Sequence, residues 1–272
     1  MTFKVFFNVE YISMNSQVLT NDTKINTVPK SIFKFDSEMS FNQQFENAIQ
    51  QAWKVNINRV KEIARAVYNN APATEFPQFT PTQFVKECRD LSTKIDNACE
   101  RTGGIICRVQ TLMSIMKDDV VAYSFAKDPL KQNFAELFQH DYLRDMKGKH
   151  AIIKMSGGGK KAHYLIDGND VTGLSKKPSG SNSTKSIDFQ CDNEYYYAKH
   201  TSADGGAQDN QCDDGKRFIE QANIYVSQHN DDKVFILLVD GAYYNDDRKN
   251  KIRAMIAPEH HHRVRVCGCD EV

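Results

Sequence analysis

Residues 234–239, Val-Phe-Ile-Leu-Leu-Val, form an unbroken apolar run. A strand without polar alternation has to be covered on both faces, which places it inside an α/β sheet. Upstream, Gln211–Gln228 has the spacing of an amphipathic helix, with Phe218, Ala222, Tyr225 and Val226 on one face. Before that helix lies a strand-like stretch, Glu194–Lys199. Strand, helix and buried strand together predict a right-handed parallel crossover.

The elements around this unit complete the fold class. Asn133–Met146 reads as an amphipathic helix through Phe134, Leu137, Phe138 and Leu143. Residues 150–155, 162–167 and 186–189 read as strands, and Arg263–Cys267 as a last one. From residue 133 the order is α-β-β-β-α-β, an α/β fold with a mixed central sheet. A mainly helical N-terminal region precedes it. Its first helix runs from a Ser40 cap through Phe41, Phe45, Ala48 and Ile49, with the pattern resuming at Val60–Val67 and ending at Asn69-Asn70-Ala71-Pro72. A second opens at Thr80-Pro81, a cap followed by proline, and Gly103-Gly104 stops it. A third covers Ile105–Met116. Residues 1–35 read as strands and turns. The division expected is 1–130 for the helical region and 131–272 for the α/β core.

Composition narrows the class further. The longest apolar runs fall short of the roughly 18 residues a membrane span requires, and Asn8 and Glu10 interrupt the N-terminal FKVFFNVEYISM, which reads as a strand. No membrane partner is expected. Seven scattered cysteines without a secretion signal imply a reducing, cytoplasmic setting and no disulfide framework. Lys+Arg and Asp+Glu both number 35, so distribution carries the information. Eight lysines stand against two acids between Lys147 and Lys185, and the balance reverses over 188–247. A basic stretch beside an acidic one suits a protein that grips phosphates and binds a cation; solvated faces of opposite sign are the plainer reading.

The chemistry concentrates in Ser186–Gln211, SIDFQCDNEYYYAKHTSADGGAQDNQ. Strand alternation puts Tyr195, Tyr197 and Lys199 on one face. Asp188 lies on the preceding strand. The turn at 190–193 either brings Asp188 to the Lys199 end or leaves it distant, since sequence does not fix the register. An acid on one strand, an x-Lys pattern on the next and the amide-rich Gly205-Gly206-Ala207-Gln208-Asp209-Asn210-Gln211 resemble the PD-(D/E)xK nuclease superfamily, and type II restriction endonucleases most closely. The resemblance spans residues 130–245. It implies that Asp188 bridges Mg²⁺, that Lys199 orients the attacking water and steadies charge on phosphorus, and that Gln208 and Gln211 position the site. Tyr197 departs from the pattern, which calls for Asp or Glu there, and tyrosine is no Mg²⁺ ligand at neutral pH. A second acid therefore has to come from Glu194, Asp204, Asp209, Asp213 or Asp214; Asp209, at the helix start, is the expected one, with Glu194 and Asp204 kept as metal ligands. Asp188, Lys199, Asp209, Gln208 and Gln211 form the expected catalytic set.

Lys160 and Lys161 beside the Gly157–Gly159 turn, Lys176, Lys177 and Lys185 in the loop 173–185, and Arg248 and Lys249 are the expected DNA contacts. Arg248, Lys249, Lys251 and Arg253 also fit a solvated helix face. His260–His262 with Cys267 and Cys269 offers zinc-type ligands without finger spacing, so a loop and terminal strand are expected. The resemblance implies a Mg²⁺-dependent, site-specific endonuclease acting on double-stranded DNA as a homodimer. A repair or junction-resolving nuclease and a non-catalytic DNA-binding module are the alternatives.

Overall fold

A computed structural model of the chain describes residues 33–272, other than 106, 181 and 202–205, with only the backbone for 131, 132 and 206–208. The strands expected in 1–35 lie, up to residue 32, outside the described residues. Glu46–Gln132 form one compact unit, and Phe35–Phe45 with Asn133–Val272 form another.

The first unit is helical. Helix α1 (Phe41–Asn69) is continuous, because nothing between its two apolar stretches breaks the i, i+3, i+4 pattern. Its first turn belongs to the second unit. Helix α2 (Pro81–Arg101) starts with a reciprocal capping box: Thr80 accepts from the Gln83 N–H, and Gln83 accepts from the Thr80 N–H. Helix α3 (Arg108–Lys117) begins later than the apolar pattern suggested, after the turn at Gly103-Gly104, where both glycines have positive φ. Asp118 then caps a short α4 (Asp119–Phe125) by accepting from the Val120 and Val121 N–H groups. Ile63, Ala64, Leu91, Ile95, Ile115 and Ala122 close the core of this unit.

The second unit is α/β. Helix α5 (Phe134–Met146) leads into β1 (Ile153–Lys154). A small hairpin follows, β2 (Tyr164–Ile166) and β3 (Asn169–Val171). Next come β4 (Phe189–Cys191), β5 (Glu194–His200), helix α6 (Gly206–Gln228) and β6 (Val234–Asp240). Helix α7 (Asp246–Arg253) and β7 (Val264–Cys267) finish the chain. The five-stranded sheet has the order β1-β4-β5-β6-β7. Strands β1, β4 and β5 run antiparallel in sequence, while β5, β6 and β7 run parallel. The sheet is therefore mixed, with the expected crossover through α6.

Strand β6 is buried along its whole length. One face of the sheet meets α6 through Tyr195, Tyr197, Phe218, Ala222, Phe235 and Leu237. Each large apolar side chain buried there stabilises the fold by roughly 1.5–3 kcal/mol. The opposite face meets α5, where His140 packs on Phe189 and Phe138 packs on Phe41 and Phe45. Gly215 lets α6 close on the sheet, since a Cβ there would meet Leu237 at 3.3 Å. All seven cysteines are free thiols. Among the described residues no helix is long and apolar enough to cross a membrane.

Candidate active site

The β4–β5 register pairs Phe189 with Tyr196. Asp188, one residue before β4, also bonds to Tyr196 through its backbone, so two residues of this strand oppose one of β5, as in a bulge, beside the Ala198–Lys199 end. Its backbone is fixed on both sides: the Asp188 N–H donates to the Tyr196 carbonyl at 2.9 Å, and its own carbonyl accepts from the Met155 N–H at 2.8 Å. The carboxylate Oδ2 accepts from the Ala198 N–H at 2.8 Å and lies 3.8 Å from Lys199 Nζ. Sequence left open whether these two residues meet; the register brings them together.

Lys199 is held from two further directions. Its ammonium donates to the Ala198 carbonyl at 2.7 Å and sits 3.9 Å above the centre of the Tyr197 ring. Tyr197 is itself stacked on Phe218 of α6, with ring centres 5.2 Å apart and planes 23° from parallel. The tyrosine in the position where the motif calls for an acid is thus a platform for the lysine. Its hydroxyl is buried without a hydrogen-bond partner among the described residues. Burial, with Asp214 and Asp188 nearby, pushes its phenol pKa up.

Burial raises the Asp188 carboxyl to about 6, above an ordinary 3.8. Lys199, the Ala198 N–H and Lys154 oppose that rise, and Glu136 adds to it. Glu136, in the first turn of α5, forms an ion pair with Lys154 of β1 at 2.6 Å. Neither residue carried a sequence signal, because their proximity to Asp188 depends on tertiary packing alone.

The other expected residues are distributed as follows. Gln211 accepts from Thr201 Oγ1 at 2.9 Å, which ties α6 to the end of β5. Asp209 is exposed and accepts from the Tyr243 hydroxyl at 2.9 Å. Glu194 sits at the opposite end of β5 from Lys199, paired with Lys149 at 2.6 Å and accepting from the Tyr196 hydroxyl at 2.5 Å. Asp204 and the Gln208 side chain lie outside the described residues. Asp214 is nearly buried, 2.5 Å from Lys185 and 3.8 Å from Arg217. Asp240, at the end of β6, is turned into a buried network with Gln139 and the Cys269 N–H.

Lys160, Lys161, Lys176 and Lys177 are exposed. The Gly173 N–H donates to the Lys160 carbonyl at 3.0 Å, so the glycine turn and the basic loop lie side by side. Arg248 covers the Tyr243 ring and donates to the Tyr243 carbonyl, while Lys249 pairs with Glu271. Lys251 and Arg253 pair with Asp247 and Glu271. This second basic group is committed to contacts within the fold.

Compared with models of protein families, with curated proteins and with solved structures, the chain shows no match. Function has to be argued from the site itself.

Among the described residues, no three His, Cys, Asp or Glu side chains converge as a ready metal-binding group. That set is not what Mg²⁺ requires: it takes one or two carboxylates and fills its remaining positions with water and phosphate oxygens. Asp188 Oδ2 is engaged by the Ala198 N–H. Its Oδ1 accepts no hydrogen bond from the described residues, and that oxygen fits a hard cation.

Proposed function

We propose that the protein is a Mg²⁺-dependent endonuclease that hydrolyses phosphodiester bonds of double-stranded DNA at defined sites, as type II restriction enzymes do. The observation that carries this reading is the Asp188–Lys199 pair, 3.8 Å apart where β4 enters the sheet beside β5. Its support from the fold is the order α5-β1-β4-β5-α6-β6, with an antiparallel three-strand run followed by a parallel crossover.

Ionised Asp188 would hold the cation through Oδ1. Bound Mg²⁺ would neutralise charge on the phosphate and lower the pKa of water. Lys199, fixed over Tyr197, would direct a water at phosphorus and stabilise the negative charge that gathers there. Water adds to phosphorus, the bond to one deoxyribose oxygen breaks, and that oxygen takes up a proton. The exposed lysines at 160, 161, 176 and 177 would follow the DNA backbone. A palindromic site would be read by two copies of the chain related by a two-fold axis.

The test is plasmid cleavage in Mg²⁺ with sequencing of the fragment ends. Wild type gives discrete fragments, and Asp188→Ala and Lys199→Ala each slow cutting at least about 10³-fold with unchanged circular dichroism. Cutting at the wild-type rate by both variants refutes the assignment. Cleavage that follows DNA structure instead of sequence selects a repair or junction-resolving enzyme.

A further inference from the structure

The last turn of α6 borders a cavity of about 310 Å³. His229, the residue after the helix, lines it together with His260, His262 and Arg263 from the segment before β7. The cavity lies at the Glu194 end of the sheet, away from Lys199: Glu194 pairs with Val234, and the Phe235 N–H donates to the Arg263 carbonyl. Cys267 and Cys269 are carried by β7 to its other end, where the Cys269 N–H meets Asp240. The histidines at 260–262 therefore find their partner at the end of α6 and not in the cysteines.

Two of these imidazoles are held in one tautomer. His229 Nδ1 lies 2.9 Å from the Tyr225 carbonyl oxygen. A carbonyl only accepts, so Nδ1 carries the proton. The ring is stacked on Tyr225, with centres 4.2 Å apart and planes 15° from parallel. His260 Nδ1 lies 3.2 Å from Asn223 Oδ1. The Asn223 amide is oriented by its Nδ2, which donates to the Met255 carbonyl at 2.9 Å, and its Oδ1 also accepts from the Ala257 N–H. His260 Nδ1 is thus a donor as well. Each neutral ring is left with an unprotonated Nε2, and neither Nε2 has a hydrogen bond among the described residues. An imidazole with Nδ1–H anchored on an oxygen and Nε2 open is set up as a metal ligand. The carbonyl end of α6 adds partial negative charge. Arg263 in the wall is paired with Asp231, which offsets its charge.

We infer that His229 and His260 bind a divalent transition-metal ion of the Zn²⁺ class through Nε2, clipping the end of α6 to the segment before β7. Among the described residues no third His, Cys, Asp or Glu converges with them. Water, or the exposed His262 that also lines the cavity, fills the remaining positions. Nitrogen ligands select this class of ion over Mg²⁺, so the site neither uses Asp188 nor depends on the nuclease reading.

The full chain, stripped of metal with a chelator, is titrated with Zn²⁺ by calorimetry and with Co²⁺ by absorption. Wild type takes one ion at its tightest site, excess Mg²⁺ does not displace it, and Co²⁺ gives d–d bands without a thiolate charge-transfer band. His229→Gln and His260→Gln each weaken binding at least tenfold with unchanged circular dichroism. His261→Gln, exposed and outside the cavity, stays within twofold of wild type. Zn²⁺ raises the Tm of wild type and not that of the His229→Gln, His260→Gln double variant. Wild-type affinity in either single variant, an equal loss in His261→Gln, a thiolate band, displacement by Mg²⁺, or no binding by wild type overturns the inference.

Discussion

Asp188 carries a folding cost that a single substitution should remove. Its carboxyl is raised from 3.8 to about 6, burial being the largest cause. At about 1.4 kcal/mol per pKa unit this amounts to roughly 3 kcal/mol. The folded chain holds the Asp188 proton more tightly than the unfolded chain does. Stability from this group is therefore complete below about pH 4 and is lost as pH rises through about 6. At pH 8, without divalent cation, the wild type bears the full cost of the buried anion. Asp188→Asn keeps an oxygen for the Ala198 N–H and removes the charge, while Lys199 retains the Ala198 carbonyl and the Tyr197 ring. The variant should be more stable by roughly 3 kcal/mol at pH 8, a rise in Tm of about 6–12 °C. At pH 4 the gap should shrink below about 1 kcal/mol. Urea unfolding of both proteins at the two pH values measures it. A variant less stable than wild type at pH 8, or a gap of equal size at pH 4 and pH 8, refutes the reasoning.

His200, at the end of β5, has the opposite sign. Packed 3.8 Å from the Phe45 ring, it is held by burial at about 4 against an ordinary 6.5. Its contribution is complete above about pH 6.5 and lost as pH falls toward 4, roughly 3 kcal/mol in all; His200→Gln should flatten that acid limb in pH-dependent urea unfolding, and an unchanged limb counts against it. Gly241, just past β6, has φ +91°, and a Cβ there would meet the Thr201 carbonyl oxygen at 2.3 Å. Gly241→Ala should cost roughly 2–4 kcal/mol in thermal or urea unfolding, and a loss under about 1 kcal/mol would contradict the backbone contact.

The sheet was legible because its strongest signal was local. The run 234–239 has to be buried on both sides, and the flanking helix and strand have the lengths of a parallel crossover. The hairpin partner at Asn169–Val171 was missed, since Gly168-Asn169 reads as a terminator and the polar Asn-Asp pair hides a three-residue strand. Helix α4 lies in a stretch, 117–132, whose apolar spacing is too short to mark an element; the Asp118 side chain starts it by accepting from two backbone N–H groups. The meeting of Asp188 with Lys199 depended on register, which a period-2 pattern does not specify. Glu136 and Lys154 left no trace, because an ion pair between a helix and a strand has no sequence period.

Tyr197 stands where the motif calls for an acid, and its packing accounts for the difference. Its ring lies against Phe218 on one side and carries Lys199 at its face. A carboxylate at 197 would forfeit that stack and add a second buried anion beside Asp188, whose ionisation already costs roughly 3 kcal/mol. A tyrosine there keeps the aromatic stack and gives the Lys199 ammonium a face to rest on, with no further buried charge. It follows that Tyr197→Glu, although it restores the motif, should lower stability and weaken the hold on Lys199.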